Sequence, residues 1–235
     1  LPVFKEIPLK TITLSIKYNA LDEIFWILNA KRFLKFSITE IDFKLGDQIL
    51  SLLRRSKDLF AFCSPSKIKK FINPIQDKIP SVAFSDIDLE TTFFCLTILK
   101  NLGRFQECLK LNDGNVEKGL IKYLNHLYQN PPPQYLSVGK YYFLLFSLFI
   151  IFDKDPRNIR NQLIHTPLYT KQTGRSKIYQ LLAYRILGDY SNITEKDIMS
   201  LHDYAKPTGG FTLENSAIPN TLDTFWISYV LNEYK

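Results

Sequence analysis

Four strongly apolar segments, 90–102, 139–152, 175–187 and 223–234, carry aromatic residues at helical spacing and constrain this chain more than any other feature. Between them lie more polar stretches of helical character, 115–129, 156–164 and 194–205. The apolar segments begin about 49, 36 and 48 residues apart, a period range expected of helix pairs that bury a face only by stacking on their neighbours. Alternation of apolar and polar helices points to apolar helices inside and polar helices outside a curved or closed ring. With only 9 glycines in 235 residues and no Rossmann-type phosphate loop, the sequence argues against a sandwich, a barrel or a dinucleotide fold. The length fits one domain, because single domains commonly run to about 250 residues.

Residues 1–16 differ from the rest. Pro2, Pro8 and the alternating Thr11-Ile12-Thr13-Leu14-Ser15-Ile16 read as an extended arm, leaving 17–235 for the helices. Leu21, Ile24, Phe25 and Leu28 give the first helical face, Ile41, Leu45, Ile49, Leu52 and Leu53 repeat it, and Pro65 opens a shorter helix over 65–72. Gly103 and Gly188 follow apolar segments as C-terminal caps. Asn130-Pro131-Pro132-Pro133 and Asp155-Pro156 are stops. The longest apolar run, from Tyr141 to Phe152, is short of the roughly twenty residues that span a bilayer and reads as a buried inner helix.

Near the C-terminal end, Lys206-Pro207-Thr208-Gly209-Gly210-Phe211 is followed by Pro219-Asn220-Thr221-Leu222-Asp223-Thr224-Phe225-Trp226. Earlier, Ser85-Asp86-Ile87-Asp88-Leu89-Glu90-Thr91-Thr92-Phe93-Phe94-Cys95-Leu96 has the same acidic and Thr-rich entry into an aromatic helix. That order resembles the repeat of the prenyltransferase and terpene-cyclase superfamily, squalene-cyclase-like proteins in which a Gly-Gly-Phe turn leads into an inner helix of an α/α toroid. The resemblance implies an all-α fold, an α/α toroid or toroid-like stack of helix pairs. It also implies an isoprenoid-handling protein, in its enzymatic form a divergent terpene cyclase acting on a hydrophobic or prenyl small molecule.

Zinc prenyltransferases of that superfamily carry an Asp and a Cys ahead of the terminal aromatic pair. Matching on Thr224-Phe225-Trp226 puts Asn220 and Leu222 at those positions, which cannot supply the three or four N, S or O ligands zinc needs, so no metal and no cofactor is expected. Class II cyclases begin an inner helix with Asp-x-Asp-Asp-Thr. Matching on Thr91 keeps Glu90 as the final acid, puts Leu89 at the proton donor and shifts Asp86 and Asp88 by one residue. Asp86, Asp88 and Glu90 are therefore the candidate catalytic acids, since several clustered carboxyls can hold a proton in a dry pocket. The same residues also suit a purely structural role: Asp88 as a helix cap and Glu90 as a complement to the helix's positive end. Asn220 and Asp223 fit capping equally, and Thr194 with Asp197 fits a capping box with Asp in place of Glu.

Phe93, Phe94, Tyr141, Tyr142, Tyr179, Phe225 and Trp226 are the candidate cavity-lining rings, able to stabilise a carbocation through their quadrupoles or to fill a core. Net charge is +7, with basic clusters at Arg54-Arg55-Ser56-Lys57, Lys67 to Lys70 and Arg157 to Arg160, then Arg175 and Lys177. One cluster at a ring mouth could hold a diphosphate. No aromatics interleave these clusters, so nucleic acid is the minor reading. Cys63, Cys95 and Cys108 form no Cys-x-x-Cys pair, and His126, His165 and His202 stand at no metal-binding offsets. Free thiols, without a recognisable signal peptide, point to an intracellular, cytoplasmic setting. The alternative to an enzyme is a catalytically silent α/α-toroid scaffold that binds a protein or lipid partner.

Overall fold

The computed structural model describes residues 21–33, 40–68, 78–130, 138–156, 174–188, 193–213 and 218–234. The expected N-terminal arm, all but Pro156 of the expected helix over 156–164, and the basic residues Lys69, Lys70, Arg157 and Arg160 lie outside the described residues. The chain forms two compact units, Leu1–Pro131 and Pro132–Lys235, with the division inside the tri-proline run. It is mainly helical: among the described residues there are nine α-helices and one two-stranded sheet.

In the first unit α1 (Leu21–Phe33) buries Leu21, Ile24, Phe25 and Leu28 on one stripe, with Asp22 and Glu23 in its first turn. α2 (Glu40–Leu50) buries Leu45 and Ile49. The reading of Leu52 and Leu53 as a continuation of that helix is corrected. The helix stops at Leu50, and Leu53 begins β1 (Leu53–Ser56), which pairs antiparallel with β2 (Leu59–Phe62) in the register Leu53 to Phe62 and Ser56 to Leu59. A two-residue turn needs left-handed backbone, and Lys57 supplies it at φ 58°. Arg54 is correspondingly no surface cation: it is buried and donates to the carbonyls of Ser51 (2.6 Å) and Leu53 (2.8 Å), satisfying acceptors where helix gives way to strand.

Pro65 does open a helical turn, but a 3₁₀ turn of three residues (Pro65–Lys67), and Ile68 is already extended. The chain then returns along the hairpin: Arg55 N–H donates to Pro80 O at 3.0 Å, Val82 N–H to Arg55 O at 2.9 Å, and Cys63 bridges to Ile87. This return delivers Asp88 to the start of α3 (Leu89–Asn101). α3 ends in a Schellman turn, with Gly103 at φ 72°, Gly103 N–H on Lys100 O (3.1 Å) and Arg104 N–H on Leu99 O (2.8 Å). The buried Arg104 guanidinium pairs with Asp47 (2.7 Å) and Glu107 (2.6 Å), tying α2 to the turn before α4 (Phe105–Lys110). α5 (Asn115–Gln129) lays Val116, Leu120, Tyr123, Leu124 and Leu127 onto the core and passes over β2 at Gly119, where an added Cβ would lie 2.3 Å from the Phe60 ring.

In the second unit α6 (Val138–Ile151) packs along α7 (Gly174–Leu187), so closely at Gly139 that a Cβ there would meet the Gln180 nitrogen at 2.9 Å. α7 packs in turn against α9 (Thr221–Glu233), joined by Arg185 to Glu233 at 3.0 Å and by Tyr234 Oη donating to Leu181 O. The expected helix over 194–205 is α8 (Glu195–Met199), opened by the Thr194–Asp197 capping box, followed by a 3₁₀ turn over Ser200–Tyr204. The Gly-Gly-Phe segment is a turn closed by Lys206 N–H on Gly210 O (3.0 Å), with both glycines at positive φ. No helix among the described residues is long and apolar enough to cross a membrane.

Candidate functional site

Asp88 stands where β2, the returning 78–88 segment and α3 meet. Its backbone is extended (φ −140°, ψ 154°), the usual conformation of a helix-capping residue. One carboxylate oxygen accepts from Thr91 N–H at 2.7 Å and the other from Thr91 Oγ1 at 2.6 Å. The next threonine holds this corner to the sheet: Thr92 Oγ1 accepts from Phe62 N–H at 3.0 Å and donates to Asp88 O at 2.7 Å, while Asp88 N–H donates to Phe62 O at 3.2 Å.

Beside this corner lies a pocket of about 210 Å³, lined by Leu21 and Asp22 of α1, Ser64 after β2, and Asp88, Glu90, Thr91 and Phe94 of α3. It gathers three carboxylates, two hydroxyls, an aliphatic side chain and an aromatic ring. The chemistry open to such a wall is the binding of a small polar or cationic group, with Phe94 and Leu21 covering an apolar part. Asp88 and Glu90, two of the candidate acids, share the pocket, whereas Asp86 sits in the 3₁₀ turn Phe84–Asp86 and does not line it.

Of the seven candidate rings, only Phe94 lines the pocket. Phe93 is buried, its ring 5.9 Å from Phe25 and 5.4 Å from Phe94. The remaining five belong to the second unit and pack ring on ring. Tyr141 contacts Tyr142 at 5.4 Å, and Tyr142 stacks on Phe146 at 5.5 Å. Phe143, Tyr179 and Trp226 form a closed triangle with every centroid separation 5.6 Å, and Phe225 joins it through Trp226 at 5.4 Å. These are the offset and edge-to-face geometries of packed cores.

The start of α9 repeats the corner at the start of α3. Asn220 Oδ1 accepts from Asp223 N–H at 3.2 Å, as Asp88 accepts from Thr91. Asn220 N–H donates to Phe211 O at 2.9 Å, as Asp88 donates to Phe62. Thr224 Oγ1 accepts from Phe211 N–H at 2.8 Å, as Thr92 accepts from Phe62. Gly210 is required here, because a Cβ would lie 2.8 Å from Thr224 Oγ1 at a φ of 77°. Asp223, expected only as a helix-start residue, is 1% exposed and accepts from Arg175 Nε (3.1 Å) and Leu213 N–H (3.0 Å). Arg175 and Lys177 are thereby engaged, the latter with Asp197 at 2.8 Å.

The residues missed from sequence are Leu21, Asp22 and Ser64 on the pocket wall and Phe62 behind the cap. A threonine four residues after the cap and directly before an aromatic pair, Thr92-Phe93-Phe94 and Thr224-Phe225-Trp226, was the available signal for the shared corner. Among the described residues no group of three or more His, Cys, Asp or Glu side chains is placed to hold a metal ion. Burial raises the pKa of all three thiols: Cys63 is raised, Cys95 is well above the ordinary value, and Cys108 is pushed up to about 12. The chain matches no protein-family model, no curated protein and no solved structure.

Proposed function

We propose that this chain is a catalytically silent scaffold of the α/α-toroid type, whose helix pairs bind a protein or lipid partner. The observation that supports this reading is the duplicated helix-start corner. A general acid must keep a proton available to substrate, yet both oxygens of Asp88 accept short hydrogen bonds from Thr91. Asn220 makes the equivalent cap with an amide, which carries no charge and no transferable proton. Capping is the role common to both corners, and it needs only an acceptor.

The test separates capping from catalysis at one residue. Asp88→Asn should fold with nearly wild-type stability and Asp88→Ala should lose about 0.5–2 kcal/mol, the range for removing an N-cap. Neither variant nor the wild type should turn over linear prenyl diphosphates or squalene-like hydrocarbons. Native mass spectrometry of the purified chain should show an associated subunit or lipid. Turnover that Asp88→Asn or Glu90→Gln abolishes, with the melting temperature preserved, would overturn the scaffold reading.

The second reading, an isoprenoid-handling protein and divergent cyclase, is favoured by the pocket. Glu90 and Phe94 share its wall, setting a carboxylate and an aromatic ring, the two groups carbocation chemistry uses, on one pocket. Its volume of about 210 Å³ is small against the roughly 300–1,000 Å³ of ordinary ligand sites. A short prenyl group therefore suits it better than a squalene-length chain.

A further inference from the structure

We draw no further inference here: the strongest candidate, the pocket at the start of α3 whose wall carries Asp22, Asp88 and Glu90, belongs to the site already described and joins a helix N-terminus to an acidic cluster with no second observation that points to a ligand.

Discussion

Thr92→Val tests whether a side-chain hydroxyl, and not the sheet, fastens β2 to α3. Amides on a strand alternate in direction, and Cys63 N–H is the one that turns to the hairpin partner, donating to Leu52 O at 3.0 Å. The Phe62 N–H therefore points away from β1, and Thr92 Oγ1 receives it at 3.0 Å. Both residues are fully buried, so valine, with nearly the same shape, leaves that donor without an acceptor and without water. Stranding a buried amide costs about 1–3 kcal/mol. The carbonyl of Asp88 keeps the Thr92 N–H at 3.1 Å and adds little to the loss. Thr92→Ser keeps the hydroxyl and loses only a buried methyl, about 0.8 kcal/mol. Urea unfolding followed by the far-ultraviolet signal gives the stability differences, and amide exchange at Phe62 gives the local one. Valine should be the more destabilising variant and should accelerate Phe62 exchange more than serine does. Equal stability of wild type and Thr92→Val, or serine worse than valine, would refute the bond's role. Thr224→Val should repeat the effect at Phe211 with a smaller cost, because both residues there are only half-buried.

Gly119→Ala should destabilise although alanine is the better helix former by about 1 kcal/mol, because the new methyl would lie 2.3 Å from the Phe60 ring and 3.0 Å from Asp58 O; a thermal melt that rises instead would show that α5 can lift off the hairpin. Asp197 is lowered to about 2, chiefly by its hydrogen bond with Lys177 and then by that with Thr194, so its contribution is complete above an unfolded value of about 3.9 and is lost as pH falls towards 2. The pair is largely solvated, so Asp197→Asn should flatten the stability curve across that window by less than about 1 kcal/mol, and an unchanged curve would remove the pair from the account. Cys63, Cys95 and Cys108 should resist a thiol reagent at pH 8 in the folded chain and all react in denaturant, since burial excludes the reagent and disfavours the thiolate; rapid labelling of native Cys95 or Cys108 would contradict their burial.

Most of the legible helices carry a sustained run of buried apolar residues, and several are followed by a Gly or Pro stop. α3, α5, α6, α7 and α9 lie within two residues of the bounds their periodicity implies, and Gly103 and Gly188 stand at left-handed φ where a cap was expected. α4 was not legible, because six residues make too few turns for a period to show. The hairpin was hidden for a different reason. Its turn is Lys57-Asp58, with no glycine to announce it, and Leu52 and Leu53 continue the apolar spacing of α2 past the point where the helix stops. Long-range pairing with Ser81 and Ile87 supplies stabilisation that no local pattern encodes.

The candidate site divides along the same line. Asp88, Glu90 and Phe94 were found because a helix start writes itself locally, as a cap, a first-turn acid and an aromatic face. Leu21, Asp22 and Ser64 reach the same pocket from elements 24 or more residues away in sequence, brought there by packing of α1 on α3 and by the turn after β2. The two corners show how far local grammar extends. Phe211 directly follows the Gly-Gly turn and precedes its cap by nine residues, whereas Phe62 ends β2 and precedes its cap by 26 residues that include two 3₁₀ turns and the returning segment. What they hold in common is the hydrogen-bond demand: a buried or half-buried Phe amide and carbonyl must be met, and a cap residue followed four positions later by threonine meets both. That demand keeps threonine in place whether the cap is Asp or Asn and whatever connects it. It therefore accounts for the Thr-aromatic-aromatic pattern without requiring an acid at either corner.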